Sequence, residues 1–194
     1  MGYNEIMSRA VEITGTQLTN ALRALDVNFI MGGQSTNETL HKRPTRLIAS
    51  LAESGESRLR LSLIPLFLGH HEFALHVRTV AKKLDPAARL TLQCYYTAAV
   101  WLGKKYRQPG SLPDYFSEEL GLHPVDDLDE NLRALAKRHK ELSSTWVNWL
   151  GTYLHAAAVW QKGLQEKTVL NQYPHIINPM NMVVADTLDK AAKR

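Results

Sequence analysis

Cysteine is nearly absent from this chain, with one in 194 residues. A single thiol excludes both a disulfide framework and a zinc site built from cysteine thiolates. The N-terminus has no charged start followed by an apolar run, and Ile6 stands where a myristoylation signal needs Ser or Thr. The longest uncharged runs contain too many polar residues for a membrane span. We therefore expect a cytoplasmic protein with no membrane partner.

Catalytic motifs are lacking as well. The sequence has no phosphate-binding loop of the form GxxxxGK[ST], no dinucleotide-binding GxGxxG and no GxSxG nucleophile elbow. Cys94 lies in the most apolar stretch, where a thiol behaves as a small hydrophobe. We therefore expect no enzyme activity and no cofactor.

One histidine cluster deserves comparison with a metal site. Glu72 and His76 are four residues apart and share a helix face, beside His70 and His71. A metal would need a third ligand from elsewhere in the chain. The candidates for that ligand are His41, His123 and His175. We interpret the cluster as a helix start with a surface Glu–His pair, and expect no metal.

Charge is strongly segregated along the chain. Residues 41–110 carry a net charge of +8, whereas residues 111–130 carry −7 and contain no Lys or Arg. A block of like charge repels itself unless it meets counter-charge. Either the acidic segment folds back on the basic face, which is the interpretation we favour, or that face stays open for an anionic partner.

Helical spacing of apolar residues dominates the rest of the sequence. It predicts an all-α fold, a bundle of about six to eight helices in a single domain over 1–194. An extended segment and loop are expected at 26–43, and an acidic loop with a short helix at 108–126. Asp85 and Pro86 predict the start of a buried helix, because Asp caps and Pro suits the first helical position. Pro179 predicts a similar start for a short C-terminal helix.

The most regular pattern lies between 128 and 160, where apolar residues alternate at spacings of four and three. This heptad stripe predicts one long helix over 127–164, broken near Gly151 if at all, with the stripe in a core or at a partner interface. The stripe residues assigned to that core or interface are Leu135, His139, Leu142, Trp146, Trp149, Tyr153 and Trp160.

Arg133 and His139 also form an Arg-x5-His pair. The spacing resembles that of HEPN-type helical ribonucleases, in which such a pair acts together on the phosphodiester. The resemblance implies a ribonuclease, whereas the place of His139 in the stripe favours a packed histidine. We therefore expect Arg133 and His139 not to be catalytic.

Three basic clusters remain as candidate contacts for nucleic acid or another anion. They comprise Lys42, Arg43 and Arg46, then Lys82 and Lys83, then Lys104, Lys105, Tyr106 and Arg107. A tyrosine inside a basic run suits stacking on a base, although Lys and Arg at helix C-termini also favour the helix dipole.

These observations favour a non-enzymatic helical interaction protein, a subunit or regulator of a larger bacterial-type assembly. Its partner would be another protein or a second copy of the chain. The alternative is a helical nucleic-acid-binding protein that uses the basic clusters of 41–107. The second alternative is a ribonuclease similar to the HEPN type.

Overall fold

A computed structural model describes residues 13–27, 39–108 and 110–172. Within these ranges the chain is helical and contains no strand, which confirms the predicted all-α bundle. Two short 3-10 helices lie at Leu40–Lys42 and His71–Phe73. The α-helices are α1 (Gly15–Ala24), α2 (Pro44–Glu53), α3 (Ser57–Leu61), α4 (Leu63–Gly69), α5 (Ala74–Ala81), α6 (Pro86–Lys105), α7 (Leu128–Ser143) and α8 (Trp149–Gln172).

Contacts divide the chain into two units, 1–160 and 161–194. The described part of the second unit is the end of α8, where Lys162 and Glu166 stand one turn apart with 3.9 Å between Nζ and Oε1. The single domain expected over 1–194 stays a prediction. The extended segment expected after Val27 and the C-terminal helix expected from Pro179 lie outside the described residues.

Side-chain caps start helices α1, α6 and α7. Asp85 accepts hydrogen bonds from the backbone N–H groups of residues 87 and 88, at 2.8 and 2.9 Å. Asp127 does the same for residues 129 and 130 at the start of α7. Thr14 and Gln17 form a reciprocal capping box at α1. Each cap satisfies backbone donors that have no partner inside the helix.

Helix α6 is the centre of the core in the first unit. It packs mainly against α4 and α7. Tyr96 and Trp101 are fully buried on it, and Phe67 of α4 meets the Tyr96 ring edge-on at 5.0 Å. Pro65 is the third residue of α4, and the helical run that contains it is interrupted at Ser62, between α3 and α4. Proline has no N–H to donate to the carbonyl four residues earlier, that of Leu61, where α3 ends.

The acidic segment folds into one helical turn rather than a longer helix. The turn ends at Gly121, which has φ +69°, and the N–H groups of Gly121 and Leu122 donate to the carbonyls of Glu118 and Ser117. This is the Schellman arrangement that glycine favours at a helix end. The segment is anchored by apolar side chains that are all buried. They are Leu112, Phe116, Leu120 and Leu122.

The helix predicted over 127–164 is broken, but the break lies before the predicted position. Helix α7 ends at Ser143 and α8 begins at Trp149, so the break lies at 144–148 and not at Gly151. Ser144 adopts a left-handed φ of 53°. The Asn148 side chain accepts from the Gly151 N–H at 3.0 Å and so caps α8. Gly151 leaves room for that cap, because a Cβ there would lie 2.8 Å from the Asn148 amide nitrogen.

None of the helices within the described ranges combines the length and the apolar character needed to cross a bilayer.

Candidate functional site

The structure divides the heptad stripe between core and surface. Leu135, His139 and Tyr153 are buried, and Trp149 and Trp160 are partly buried. The remaining two stripe residues are exposed: Leu142 by 42% and Trp146 by 92%. Trp146 therefore does not lie in the core of the described residues, and a partner interface is the other alternative given for it. The reason is the helix break, which carries Trp146 out of the register that the heptads define.

His139 lies in a cluster of aromatic rings. Its imidazole stacks on Trp149 with ring centroids 3.7 Å apart and planes 17° apart. Tyr95 of α6 meets the imidazole and the rings of Trp149 and Tyr153 edge-on, at centroid distances of 5.9, 6.3 and 6.2 Å. These are the favoured geometries for aromatic pairs. The cluster joins α6, α7 and α8 at the point where α7 ends.

The protonation of His139 follows from its neighbour. Its Nδ1 lies 2.7 Å from the buried Tyr153 hydroxyl. If the imidazole donated, the phenol proton would have no acceptor among the described residues. Tyr153 therefore donates to Nδ1, and the ring proton stays on Nε2. Burial lowers the pKa of His139 to about 4, so the ring is neutral near pH 7.

An exposed apolar surface lies at the break between α7 and α8. We call Leu142, Trp146 and Val147 the hinge patch; Val147 is 43% exposed. The Lys140 ammonium lies 4.3 Å from the centroid of the Trp146 ring, a cation–π contact that favours one ring orientation. A neighbouring hydrogen bond of 2.7 Å joins the hydroxyls of Ser143 and Thr145.

The basic clusters do not form one surface. Lys42, Arg43 and Arg46 are exposed at the start of α2, and Lys82 and Lys83 are exposed just after α5. Helices α2 and α5 pack together, so Arg46 and Lys83 line the same cleft of about 230 Å³.

The third basic cluster lies at the far end of α6. It is about 27 Å from the start of that helix at 1.5 Å per residue. Lys104 and Arg107 are exposed. Lys105 and Tyr106 are only partly exposed, and the Lys105 ammonium pairs with the Asp129 carboxylate.

The acidic segment lies against the basic region, as the favoured interpretation predicts. The Tyr96 hydroxyl donates to the Pro113 carbonyl at 2.9 Å, and the Gln93 amide donates to Glu119 at 2.8 Å. The Arg78 guanidinium lies over the Tyr115 ring at 5.7 Å. Apolar burial carries most of this contact, however. Within the described residues a single ion pair, Lys105–Asp129, joins the two blocks.

Arg133 and His139 lie on different faces of α7. Six residues on an α-helix place two side chains about 120° apart around its axis. Arg133 is exposed, 3.8 Å from the Asp127 carboxylate, whereas His139 is 2% exposed inside the aromatic cluster. The geometry therefore gives no support to joint action on a phosphodiester.

The histidines near the start of α5 take part in hydrogen bonds, two of them to distant parts of the chain. His70 bonds through Nε2 to the Leu25 carbonyl at 2.7 Å and faces Glu72 through Nδ1 at 3.1 Å. His71 lies 3.2 Å from the Gln108 amide oxygen. No group of three metal-ligating side chains comes together among the described residues. His175 lies outside those residues.

Comparisons of the chain with models of known protein families, with curated proteins and with solved structures gave no match.

Two residues of this region were not identified from the sequence as candidates for a site. Arg60 of α3 and Tyr95 of α6 line a cavity with His139 and Trp149, although they are distant along the chain. Arg60 stands in an Arg-rich helix, and Tyr95 in an apolar one. Neither setting distinguishes a cavity residue from an ordinary one, and only packing of the helices brings the two together.

Proposed function

We propose that this chain is a non-enzymatic helical interaction protein, a subunit or regulator of a larger bacterial-type assembly. We propose further that it contacts its protein partner through the hinge patch. The observation that supports this is the 92% exposure of Trp146, flanked by exposed Leu142 and Val147. Contiguous exposed apolar groups are a characteristic of interaction surfaces, and Trp is enriched among the residues that dominate binding energy.

The local structure favours recognition. The hinge patch stands between two helix ends, and the Asn148 cap and the Ser143–Thr145 hydrogen bond hold the intervening segment. A Trp ring held by a cation–π contact loses little conformational freedom on binding, which lowers the entropic cost of association.

Site-specific photocrosslinking tests the proposal in the cell that makes the protein. The photoreactive residue p-benzoylphenylalanine is placed at Val147, and in a matched control at Leu75, which is 77% exposed on α5. We expect a discrete protein adduct from position 147, no such adduct from position 75, and loss of the adduct when Trp146→Ala is added. The adduct mass distinguishes a second copy of the chain from a different protein.

Equal labelling from both positions, or crosslinks from 147 only within the same chain, would contradict the proposal.

Nucleic-acid binding is the second candidate, and one observation favours it. Arg46 and Lys83 come from different helices yet line one cleft, with Lys42, Arg43 and Lys82 exposed on the same two elements. Glu53 also lines that cleft, and its negative charge disfavours binding of an anion there. The oligonucleotide experiment in the Discussion tests this candidate.

A further inference from the structure

A cavity of about 690 Å³ opens beside the aromatic cluster, within the first unit of the chain. Its walls come from the end of α2, from α3, from the first turns of α6, and from the adjoining ends of α7 and α8. The volume falls in the range of pockets for small organic molecules, about 300–1,000 Å³. The flat side chains of Tyr95, His139 and Trp149 form part of the lining.

Those three aromatic residues present hydrogen-bond donors that lack partners among the described residues. The Trp149 indole N–H is buried without an acceptor, and an indole nitrogen only donates. The Tyr95 hydroxyl makes no hydrogen bond to any residue that the structure describes. Burial raises the pKa of Tyr95 to about 12, so the phenol keeps its proton. His139 carries its proton on Nε2, because Nδ1 accepts from Tyr153.

A buried donor without an acceptor, such as the Trp149 N–H, costs about 1–3 kcal/mol of free energy. A ligand that brings acceptor atoms into the cavity would remove that cost. The set of unpartnered groups therefore favours a ligand rich in acceptors over one rich in donors.

Arg60 supplies the positive charge among the residues that line the cavity. The Arg60 guanidinium is half-buried, and its Nη1 donates to the Ser54 carbonyl at 2.6 Å, which holds the side chain in place. No carboxylate pairs with it in the described part of the chain. The positive charge of Arg60 offsets part of the rise that burial causes in the pKa of Tyr95. The guanidinium and the Tyr95 hydroxyl are therefore close enough to contact the same ligand group.

Two acidic residues, Glu53 and Asp85, line the same cavity, and both are exposed to solvent. Asp85 is occupied with the backbone N–H groups of Ala87 and Ala88 at the positive end of α6. Glu53 is exposed to solvent, where water and salt screen its charge more than that of a half-buried guanidinium.

We propose that this cavity binds a small organic anion with a flat apolar body. Its carboxylate or phosphate group faces Arg60 and the Tyr95 hydroxyl, and its ring packs along the aromatic wall. The cavity adjoins the hinge patch through Leu142, which lines it, whereas Trp146 and Val147 do not.

Calorimetric and NMR titration of the full-length protein tests the site. The probes are 2-naphthoate and 2-naphthyl phosphate, with neutral 2-naphthamide and the cation 2-naphthylmethylammonium as comparisons. We expect an anionic probe to bind at least about tenfold more tightly than the amide, since charge-assisted hydrogen bonds contribute about 1.5–3 kcal/mol. The titration should shift the Trp149 indole N–H resonance. The order of the two anions identifies the preferred head group.

Arg60→Met removes the charge, and Arg58→Met is its matched control, because Arg58 lies two residues away on α3, exposed and outside the cavity. We expect Arg60→Met to weaken anion binding at least about tenfold and Arg58→Met to leave it unchanged. Tyr95→Phe, which keeps the ring, should also weaken it. No binding of either anion at 10 mM ligand, equal affinity in the two arginine variants, or tighter binding of the cation would overturn the proposal.

Discussion

The Tyr153 hydroxyl donates a hydrogen bond to Nδ1 of His139 across 2.7 Å, between two buried side chains of successive helices. This bond fixes the tautomer of the imidazole and the face that it presents to Trp149. It also links the end of α7 to the start of α8 across the break at 144–148. Several expected outcomes depend on this junction.

Replacing Tyr153 by Phe should destabilise the fold. The ring is kept, but Nδ1 of His139 loses its donor in a buried site, at a cost of about 1–3 kcal/mol. Urea unfolding followed by circular dichroism measures the change in the free energy of unfolding. Tyr106→Phe, at a partly exposed tyrosine, is the control and should change it little. A Tyr153→Phe protein as stable as the wild type would refute the assigned hydrogen bond.

Stability should fall as the pH is lowered from about 6.5 to about 4. The pKa of His139 is about 4 in the folded protein and about 6.5 for a free imidazole, so the unfolded chain binds more protons in this window. The loss is on the order of 3 kcal/mol at 1.36 kcal/mol per pKa unit. Urea unfolding at pH 7 and pH 4.5 measures it. The difference between the two pH values should shrink in His139→Gln, and an unchanged difference would contradict the assignment.

Asn148→Ala should cost about 1 kcal/mol of stability, the usual value for loss of an N-cap side chain. The structure gives Asn148 this role through its bond to the Gly151 N–H. Asn148→Asp keeps an oxygen acceptor at the cap and should be nearly as stable as the wild type. Thermal and urea unfolding of the two variants compare them. Equal destabilisation by Ala and Asp would show that the cap contributes nothing.

Trp146→Ala should leave stability within about 0.5 kcal/mol, because substitutions at exposed positions rarely cost more. Trp101→Ala, at a ring that is 1% exposed, should cost about 3–5 kcal/mol. Unfolding curves of the two variants measure the contrast. A large loss from Trp146→Ala would mean that the ring is covered in the folded protein and would weaken the proposed interaction role.

Oligonucleotides should bind weakly. The acidic segment engages Arg78 and Lys105, and Glu53 lines the cleft of Arg46 and Lys83. Fluorescence anisotropy with labelled single- and double-stranded probes at about 50 and 200 mM salt measures the affinity and its salt dependence. Micromolar or tighter binding that weakens steeply with salt would favour the nucleic-acid function.

Two triple variants would then locate a nucleic-acid contact. One replaces Arg46, Lys82 and Lys83 by Ala, and the other replaces Lys104, Lys105 and Arg107. Since the two clusters are at opposite ends of α6, a loss confined to one variant assigns the contact to that end. We expect the first variant to have the larger effect, because its residues line or flank one cleft.

Much of the fold could be predicted because it depends on local chemistry. Asp85 with Pro86, and Asp127 with the acidic residues after it, specify helix starts through bonds to backbone groups a few residues away. The uncharged run around Tyr96 and Trp101 required a buried helix, which α6 is. The opposite charges of the two blocks predicted that the acidic segment lies against the basic region, but apolar side chains hold most of that contact.

The heptad stripe shows where sequence reasoning failed. Spacing reports which residues would share a face if the helix were continuous, but it cannot report that continuity is lost. The break depends on Ser144 in a left-handed conformation and on the Asn148 cap. Both residues are polar, so the spacing of apolar residues contains no information about them. Those two residues leave Trp146 exposed and Tyr153 buried.

By itself, the sequence determined the helical class, the helix starts at Asp85 and Asp127, and the burial of α6, because spacing, capping and hydropathy act over a few residues. Only the tertiary structure decided that Arg60 and Tyr95 share a cavity with His139, and that Arg46 shares a cleft with Lys83. These neighbours come from different helices, and their proximity depends on packing across the core. No spacing along the chain encodes such a distance.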